Sequence, residues 1–198
     1  MYWRNWSNVS ISLTILCCLT ISSWTWAADQ ADHPGHRLIQ SSEMGFGFEI
    51  RNDWEVNLLP SGNLMISGQP GSESQDIMIV LQVIDKSSEN TTLQKEMSSL
   101  WHQITALPKG QVNRQAVINV SGLPAPFMQG SYQETNSDNK LLDYQCAQWG
   151  VDRGDVIFLL GYSAPDALFN KYQDDFTVLS RSFKMQPLEG QTREAKPN

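Results

Sequence analysis

The chain has 198 residues, 14 of them Lys or Arg and 21 Asp or Glu, giving a formal charge of −7 at pH 7 and a pI near 4.9. A surface for nucleic acid or an anionic membrane needs clustered Lys and Arg, and the sequence contains no such cluster. With 40% hydrophobic and 18% charged residues it is too apolar for a disordered chain, and its length suits one ordinary domain with tails.

Residues 1–27 read as a secretory signal peptide. Arg4 is their one charged residue, an apolar run extends from Val9 to Thr20, and Thr25-Trp26-Ala27 puts small residues at the −3 and −1 positions of a cut after Ala27. The run is shorter than the ~20 residues needed to span a bilayer, which weighs against an uncleaved anchor. Leu16 before Cys17, and Cys17 before Cys18, are poor substitutes for the small residue that lipid attachment requires. The mature protein is therefore expected to be exported, soluble and without an integral membrane span. Cys146 is then its one cysteine, so no internal disulfide is available and the core must hold the fold. Cys146 itself reads as a small buried apolar side chain, with no basic neighbour in sequence to activate the thiol.

Residues 28–40 are polar, contain Pro34-Gly35, and are expected to be a flexible leader; residues 188–198 are expected to be a flexible tail. The domain is expected over 41–187. Its first strand is marked by the alternation of Phe46, Phe48 and Ile50 and ends at Asn52-Asp53. Leu64 to Ser67 gives a short strand, and the continuous apolar run Ile77 to Ile84 gives one covered on both faces. The period then becomes helical through Leu93, Met97, Leu100, Trp101 and Ile104, with Thr91 and Gln94 as a capping pair and Pro108-Lys109-Gly110 as the stop. Four more strands follow at Ala116 to Val120, Phe127 to Glu134, Leu141 to Trp149 and Val156 to Tyr162, the middle two joined as a hairpin. A last helix is expected to open at Ser163-Ala164-Pro165-Asp166, with Ser163 as its cap, and to carry Leu168, Tyr172, Phe176, Leu179 and Phe183 on one stripe. Trp101, Phe176 and Phe183 are expected to pack on the two-sided strands.

Strands apolar on both faces need cover on both sides, and two amphipathic helices are available to give it. The fold class expected is α+β, a mainly antiparallel β-sheet sandwiched between helices in three layers.

Gly45-Phe46-Gly47-Phe48-Glu49-Ile50 with Asp53-Trp54-Glu55-Val56 is similar to the opening of PsbP-like and DcrB-like proteins; Val120-Ser121-Gly122-Leu123-Pro124-Ala125 resembles their Gly-Leu-Pro-Ala turn. Tyr162-Ser163-Ala164-Pro165, Phe169, Tyr172, Phe176 and Ser182-Phe183 are similar to their closing helix. The resemblance spans about residues 45–185 and implies a helix-sheet-helix sandwich that binds or assists assembly rather than catalysing. Zinc-protease relatives carry a His-Glu-x-x-His motif, which this chain lacks, and the cytoplasmic effector chaperones lack an export signal.

The remaining constellations have simple explanations. Asp32-His33-Pro34-Gly35-His36 offers metal-ligating types, but on a flexible backbone without a fourth ligand it reads as a solvated leader. His102 lies opposite the apolar helix stripe and has no evident nucleophile, Asp174-Asp175 reads as a polar helix face, and Arg153-Gly154-Asp155 as a turn. Asn90-Thr91-Thr92 and Asn119-Val120-Ser121 are formal glycosylation sequons. No pattern points to a cofactor. The functional expectation is an exported, non-catalytic envelope protein with a protein partner and no nucleic acid; the alternative is a small-ligand protein or enzyme with a loop-built site. Pro124, Pro126, Phe127 and Met128, read as an apolar loop entering a strand, are the candidate partner-binding residues. Mass spectrometry of the secreted protein is expected to find Ala28 as its first residue; an intact Met1, or lipid on Cys17 or Cys18, contradicts the export reading.

Overall fold

Alternating side chains divide the central strands between two cores. On Leu141–Asp152, Tyr144 and Cys146 face one side while Ala147, Trp149 and Val151 face the other. The neighbouring strand Val156–Pro165 does the same, with Ile157 and Leu159 on the first side and Phe158, Leu160, Tyr162 and Ala164 on the second. All of these are buried, so both strands are covered on both faces.

The computed structural model describes residues 31–136 and 138–185. The expected signal peptide and tail lie outside these residues. In chain order the elements are β1 (His36–Ser41), β2 (Phe46–Arg51), β3 (Trp54–Leu58), β4 (Leu64–Gly68), β5 (Met78–Asp85), α1 (Lys86–Glu89), α2 (Leu93–Ala106), β6 (Gln111–Val120), β7 (Leu123–Thr135), β8 (Leu141–Asp152), β9 (Val156–Pro165), α3 (Asp166–Ser182) and β10 (Lys184–Met185). Seven strands form one antiparallel sheet in the order β3-β4-β5-β9-β8-β7-β6, and β1-β2-β10 form a second. Among the described residues no helix is long and apolar enough to cross a membrane.

The expected three-layer order is present, with α2 on one face of the large sheet and α3 on the other. The α3 layer is shared, because β2 lies beside that helix and buries Phe46, Phe48 and Ile50 in the same core. Two strands were not anticipated at the start of the chain. Residues 36–40, expected as part of a flexible leader, form β1 with Ser41; His36 pairs with Arg51 and Ser41 with Phe46. The strand was hidden because Ile39 is its one deeply buried apolar side chain, too little to show a period. β3 was hidden in the same way, since Trp54 is its single buried residue.

Both helix starts differ from expectation by a short shift. Thr92, not Thr91, caps α2, its hydroxyl accepting from the Lys95 amide at 3.2 Å, while the Thr91 hydroxyl donates to the Glu96 carboxylate. Met97, Leu100 and Ile104 are buried, but Trp101 is 41% exposed and is not part of the core. The helix seats against β8 at Gly150, where a Cβ would come within 2.6 Å of a Leu93 methyl and 2.7 Å of a Leu159 methyl, so a larger residue there would require these side chains to shift. At α3, Ser163 does not cap: it stays in β9 with its hydroxyl 2.6 Å from that of Tyr132, and Pro165 precedes the helix without a side-chain cap.

Phe183, just past the end of α3, meets four rings from three strands. It stacks with Phe46 and Phe48 of β2 at 6.4 and 6.1 Å and meets Trp149 of β8 and Phe158 of β9 edge-on at 5.1 and 5.5 Å. Trp149 is held in turn by its indole N–H donating to Ser180 at 3.0 Å. Truncating such a ring removes its transfer energy and leaves a cavity, so Phe183→Ala is expected to cost about 3–5 kcal/mol in urea unfolding. Trp101→Ala is expected to cost less than about 1 kcal/mol. Equal losses would contradict this assignment of the core.

Candidate partner-binding surface

The β6–β7 hairpin is closed by a two-residue turn. Val120 pairs with Leu123 across Ser121 and Gly122, whose φ values of +52° and +83° match the turn twist that paired strands favour. Glycine adopts this region without strain. Asn119 Oδ1 accepts from the Gly122 amide at 3.0 Å, and the Ser121 hydroxyl donates to the Phe183 carbonyl, which ties the turn to the end of α3.

The four candidate contact residues lie in β7, a strand rather than a loop, and they do not share one surface. Met128 is 4% exposed and belongs to the α2 core with Leu100 and Ile104, so it offers no contact area. Pro124 and Pro126 have the parity of Met128 and continue that side of the sheet, where Pro124 is exposed and Pro126 half-buried. Phe127 points to the opposite side, half-buried on the α3 core, with the Arg114 guanidinium 5.8 Å from its ring centre. β8 begins to pair with β7 only at Trp149 opposite Phe127, so the two prolines precede that ladder and break no hydrogen bond in it.

Sequence reasoning missed Val117. It stands directly opposite Pro126, shares its side of the sheet and is 71% exposed. The signal was present in the strand period: if Ala116, Ile118 and Val120 turn inward, the Val117 between them turns outward. Val117, Pro124 and Pro126 thus form an apolar surface on a hairpin fixed at its turn, on the side of the sheet that carries α2.

Several other chemically capable residues among those described are engaged within the fold. Burial pushes the Cys146 thiol up to about 12, which leaves it protonated and inert. Tyr132 and Tyr144 stack at 5.5 Å, and burial raises the Tyr144 phenol to about 12. His102 is exposed, and its Nδ1 donates to the Ser98 carbonyl at 2.7 Å. In the turn of Arg153-Gly154-Asp155, the Gly154 amide donates to Asp152, which also pairs with Lys86 at 2.9 Å.

The stretch expected as a solvated leader instead joins β2 to α3. Glu49, 4% exposed, accepts from the Asp32 amide at 3.0 Å, the His33 amide at 3.2 Å and the His33 ring at 2.8 Å. His36 turns elsewhere: its Nδ1 donates to the Pro34 carbonyl at 3.1 Å, and its Nε2 faces Asp175 at 3.4 Å, an ion-pair distance without the alignment of a hydrogen bond. Asp175, read from sequence as part of a polar helix face, also faces Arg51 at 3.6 Å, and Arg51 pairs with Asp53 at 2.8 Å. Among the described residues no cluster of three or more His, Cys, Asp or Glu side chains is disposed to hold a metal ion. Burial alone would raise the Glu49 carboxyl, but the two amides and the His33 ring outweigh it and hold the group below the ordinary glutamate range. Burial raises Asp175, against the pull of Arg51 and His36.

The fold is shared with solved structures of low sequence identity. The chain is similar to LpqN of Mycobacterium tuberculosis, described as involved in cell envelope biogenesis, at 17% identity and a TM-score of 0.51 over 79% of this chain and 87% of that one. It is similar to the cyanobacterial PsbP (CyanoP) of Synechocystis at 7% identity and a TM-score of 0.54, covering 79% and 96% of the two chains. A Bacteroides thetaiotaomicron protein matches at 11% identity and a TM-score of 0.53 over 77% of this chain and 49% of its own. No family model matches the sequence, and no curated protein matches it. The likeness establishes the PsbP-like fold that the sequence resemblance implied.

The Glu49 contacts give stability a defined pH dependence. A carboxylate whose pKa is lowered on folding stabilises fully above its unfolded value, near ~4.3, and loses that contribution as pH falls through the folded value. Glu49→Gln is expected to cost about 1.5–3 kcal/mol at pH 7, the range for hydrogen bonds to a charged group. The difference from the parent should shrink once the pH falls below ~4.3. Urea titrations at several pH values check this, and a difference independent of pH would contradict it.

Proposed function

We propose that the protein is an exported, non-catalytic binding module that holds a partner protein on the hairpin surface formed by Val117, Pro124 and Pro126. The observation that carries this reading is the exposure of Val117 opposite Pro126 on a hairpin whose turn is anchored to α3. Apolar side chains left in water on a pre-ordered element are suited to association, because little conformational entropy remains to be lost on binding. The prolines fix φ along one half of the hairpin and add to that order. Titratable groups of the kind that do catalysis are instead engaged structurally, as at Glu49 and Tyr132. An exported, envelope location rests on the apolar run and cleavage pattern of residues 1–27 and agrees with the description of LpqN.

The reading retains Pro124 and Pro126 of the residues first expected, replaces Met128 by Val117, and leaves Phe127 to the opposite side of the strand. A photo-crosslinking side chain placed at Val117 in the native host is expected to give one discrete adduct, whereas the same group at Leu141, which is 62% exposed at the far end of β8, should give none. Identical labelling from both positions, or none from Val117, contradicts the assignment. Val117→Ser should leave the unfolding midpoint nearly unchanged, since the side chain is in solvent.

A further inference from the structure

The charge of this chain is unevenly distributed in a way that bears on what the hairpin binds. Between Glu96 and Glu134 the sequence contains no acidic residue, while Lys109 and Arg114 lie within it; all 21 carboxylates fall elsewhere. In the fold this stretch is contiguous, comprising most of α2, all of β6 and most of β7, with α2 packed on both strands. Lys184 adds a further cation beside Phe183, whose carbonyl receives the Ser121 hydroxyl at the hairpin turn. In a protein of net charge −7, the edge strand β6 and the parts of α2 and β7 packed beside it thus contribute cations and no carboxylate.

Among the described residues that edge is also open. β6 is the last strand of the large sheet among the described residues, and an edge strand directs alternate N–H and C=O groups outward. Edges are normally guarded by charged side chains, proline, a bulge or short length. β6 has a register shift between Val112 and Arg114, but from Gln115 to Val120 it carries no charge, no proline and no glycine. The other edge is shorter and differently furnished, with five residues in β3 and an exposed Glu55.

We propose that β6 receives an extended, acidic segment of a partner protein as an eighth strand, paired along Gln115 to Val120. The proposal rests on the partner-binding reading of the hairpin and names its occupant. Backbone hydrogen bonds supply the pairing, and alternate side chains of the incoming strand read the two faces. One face offers Val117 beside Pro126 for an apolar side chain. The other offers the exposed Arg114 guanidinium, fixed over the Phe127 ring and available to a carboxylate. The same local charge disfavours a basic strand, and an acidic one meets no like charge from β6 itself.

The test uses the full-length protein, isotope-labelled for NMR, and two synthetic peptides of alternating valine and threonine, one flanked by glutamates and the other by lysines. The glutamate-flanked peptide is expected to shift the amides of Gln115 to Val120, and to bind about tenfold more tightly than the lysine-flanked one. Arg114→Glu should reverse that preference, and Val117→Ser, which removes the apolar contact without adding charge, should weaken both peptides. Arg114 and Val117 are exposed, so unchanged unfolding midpoints confirm that the variants remain folded. Unmoved β6 amides at millimolar glutamate-flanked peptide would overturn the proposal. So would equal binding of both peptides regardless of Arg114, although a hairpin binding surface would survive that result. A concentration-dependent dimer dissolved by Val117→Lys would also overturn it, by identifying a second copy as the occupant. Loss of the Val117 crosslink in the host, with peptide binding intact, would instead count against the cellular reading of the surface.

Discussion

Phe183 is the residue through which the separate parts of this fold are fixed to one another. It follows α3 directly, so that helix must end where the ring can enter the space among Phe46, Phe48, Trp149 and Phe158. With the ring in place, the next two residues pair as β10 with Phe46 and Gly47 of β2, and the Ser182 hydroxyl accepts from the Glu49 amide at 2.9 Å. The Phe183 carbonyl accepts from Ser121, which brings the β6–β7 turn into the same arrangement. A buried aromatic ring of this kind contributes several kcal/mol, a large share of a net stability of about 5–15 kcal/mol. Both sheets, α3 and the hairpin turn therefore meet at one residue, through its ring and its backbone carbonyl.

The two faces of the large sheet are consequently unequal. The α3 face is closed by a helix and by β2 together, and Glu49, held by the Asp32 and His33 amides, secures the chain segment that leads into that cover. The α2 face is covered by one helix that packs on β6, β7 and β8, and beyond its reach the hairpin presents Val117, Pro124 and Pro126. Rigidity and exposure meet at this place because the turn is anchored to the closed side while its strand faces water. The basic, carboxylate-free character of the surrounding sequence adds selectivity for charge to a surface that would otherwise be only apolar.

The layered α+β architecture was legible because it is written in periods. Ile77 to Ile84, apolar but for Gln82, and Val156 to Tyr162 do become two-sided strands, and the spacing of Met97, Leu100 and Ile104 does become a helix face. β1 and β3 were not legible, since each depends on one deeply buried apolar residue, Ile39 or Trp54, and takes its order from long-range pairing. Trp101 shows the limit of a periodic stripe: a residue one step from Leu100 sits at the margin of the helix face, and packing rather than period decides its burial. Ser163 failed as a cap because a proline and an aspartate favour a helix start at 165–166 while the preceding residues remain paired with β8. At the candidate surface, two of the four expected residues stayed on one exposed side because Pro-x-Pro spacing has the period of a strand. Met128 and Phe127 were misplaced because the turn is only two residues long, so the apolar stretch after it enters β7 at once.

Whether β6 is an open edge in solution can be measured directly by residue-resolved amide hydrogen exchange of the full-length protein. From Gln115 to Val120, alternate amides should exchange near the rate of unstructured peptide while those bonded to β7 are protected, and the flanking amides of β7 and β8 should be protected throughout. Uniform protection along β6 would mean that the edge is already covered, and would contradict a docking strand at that position.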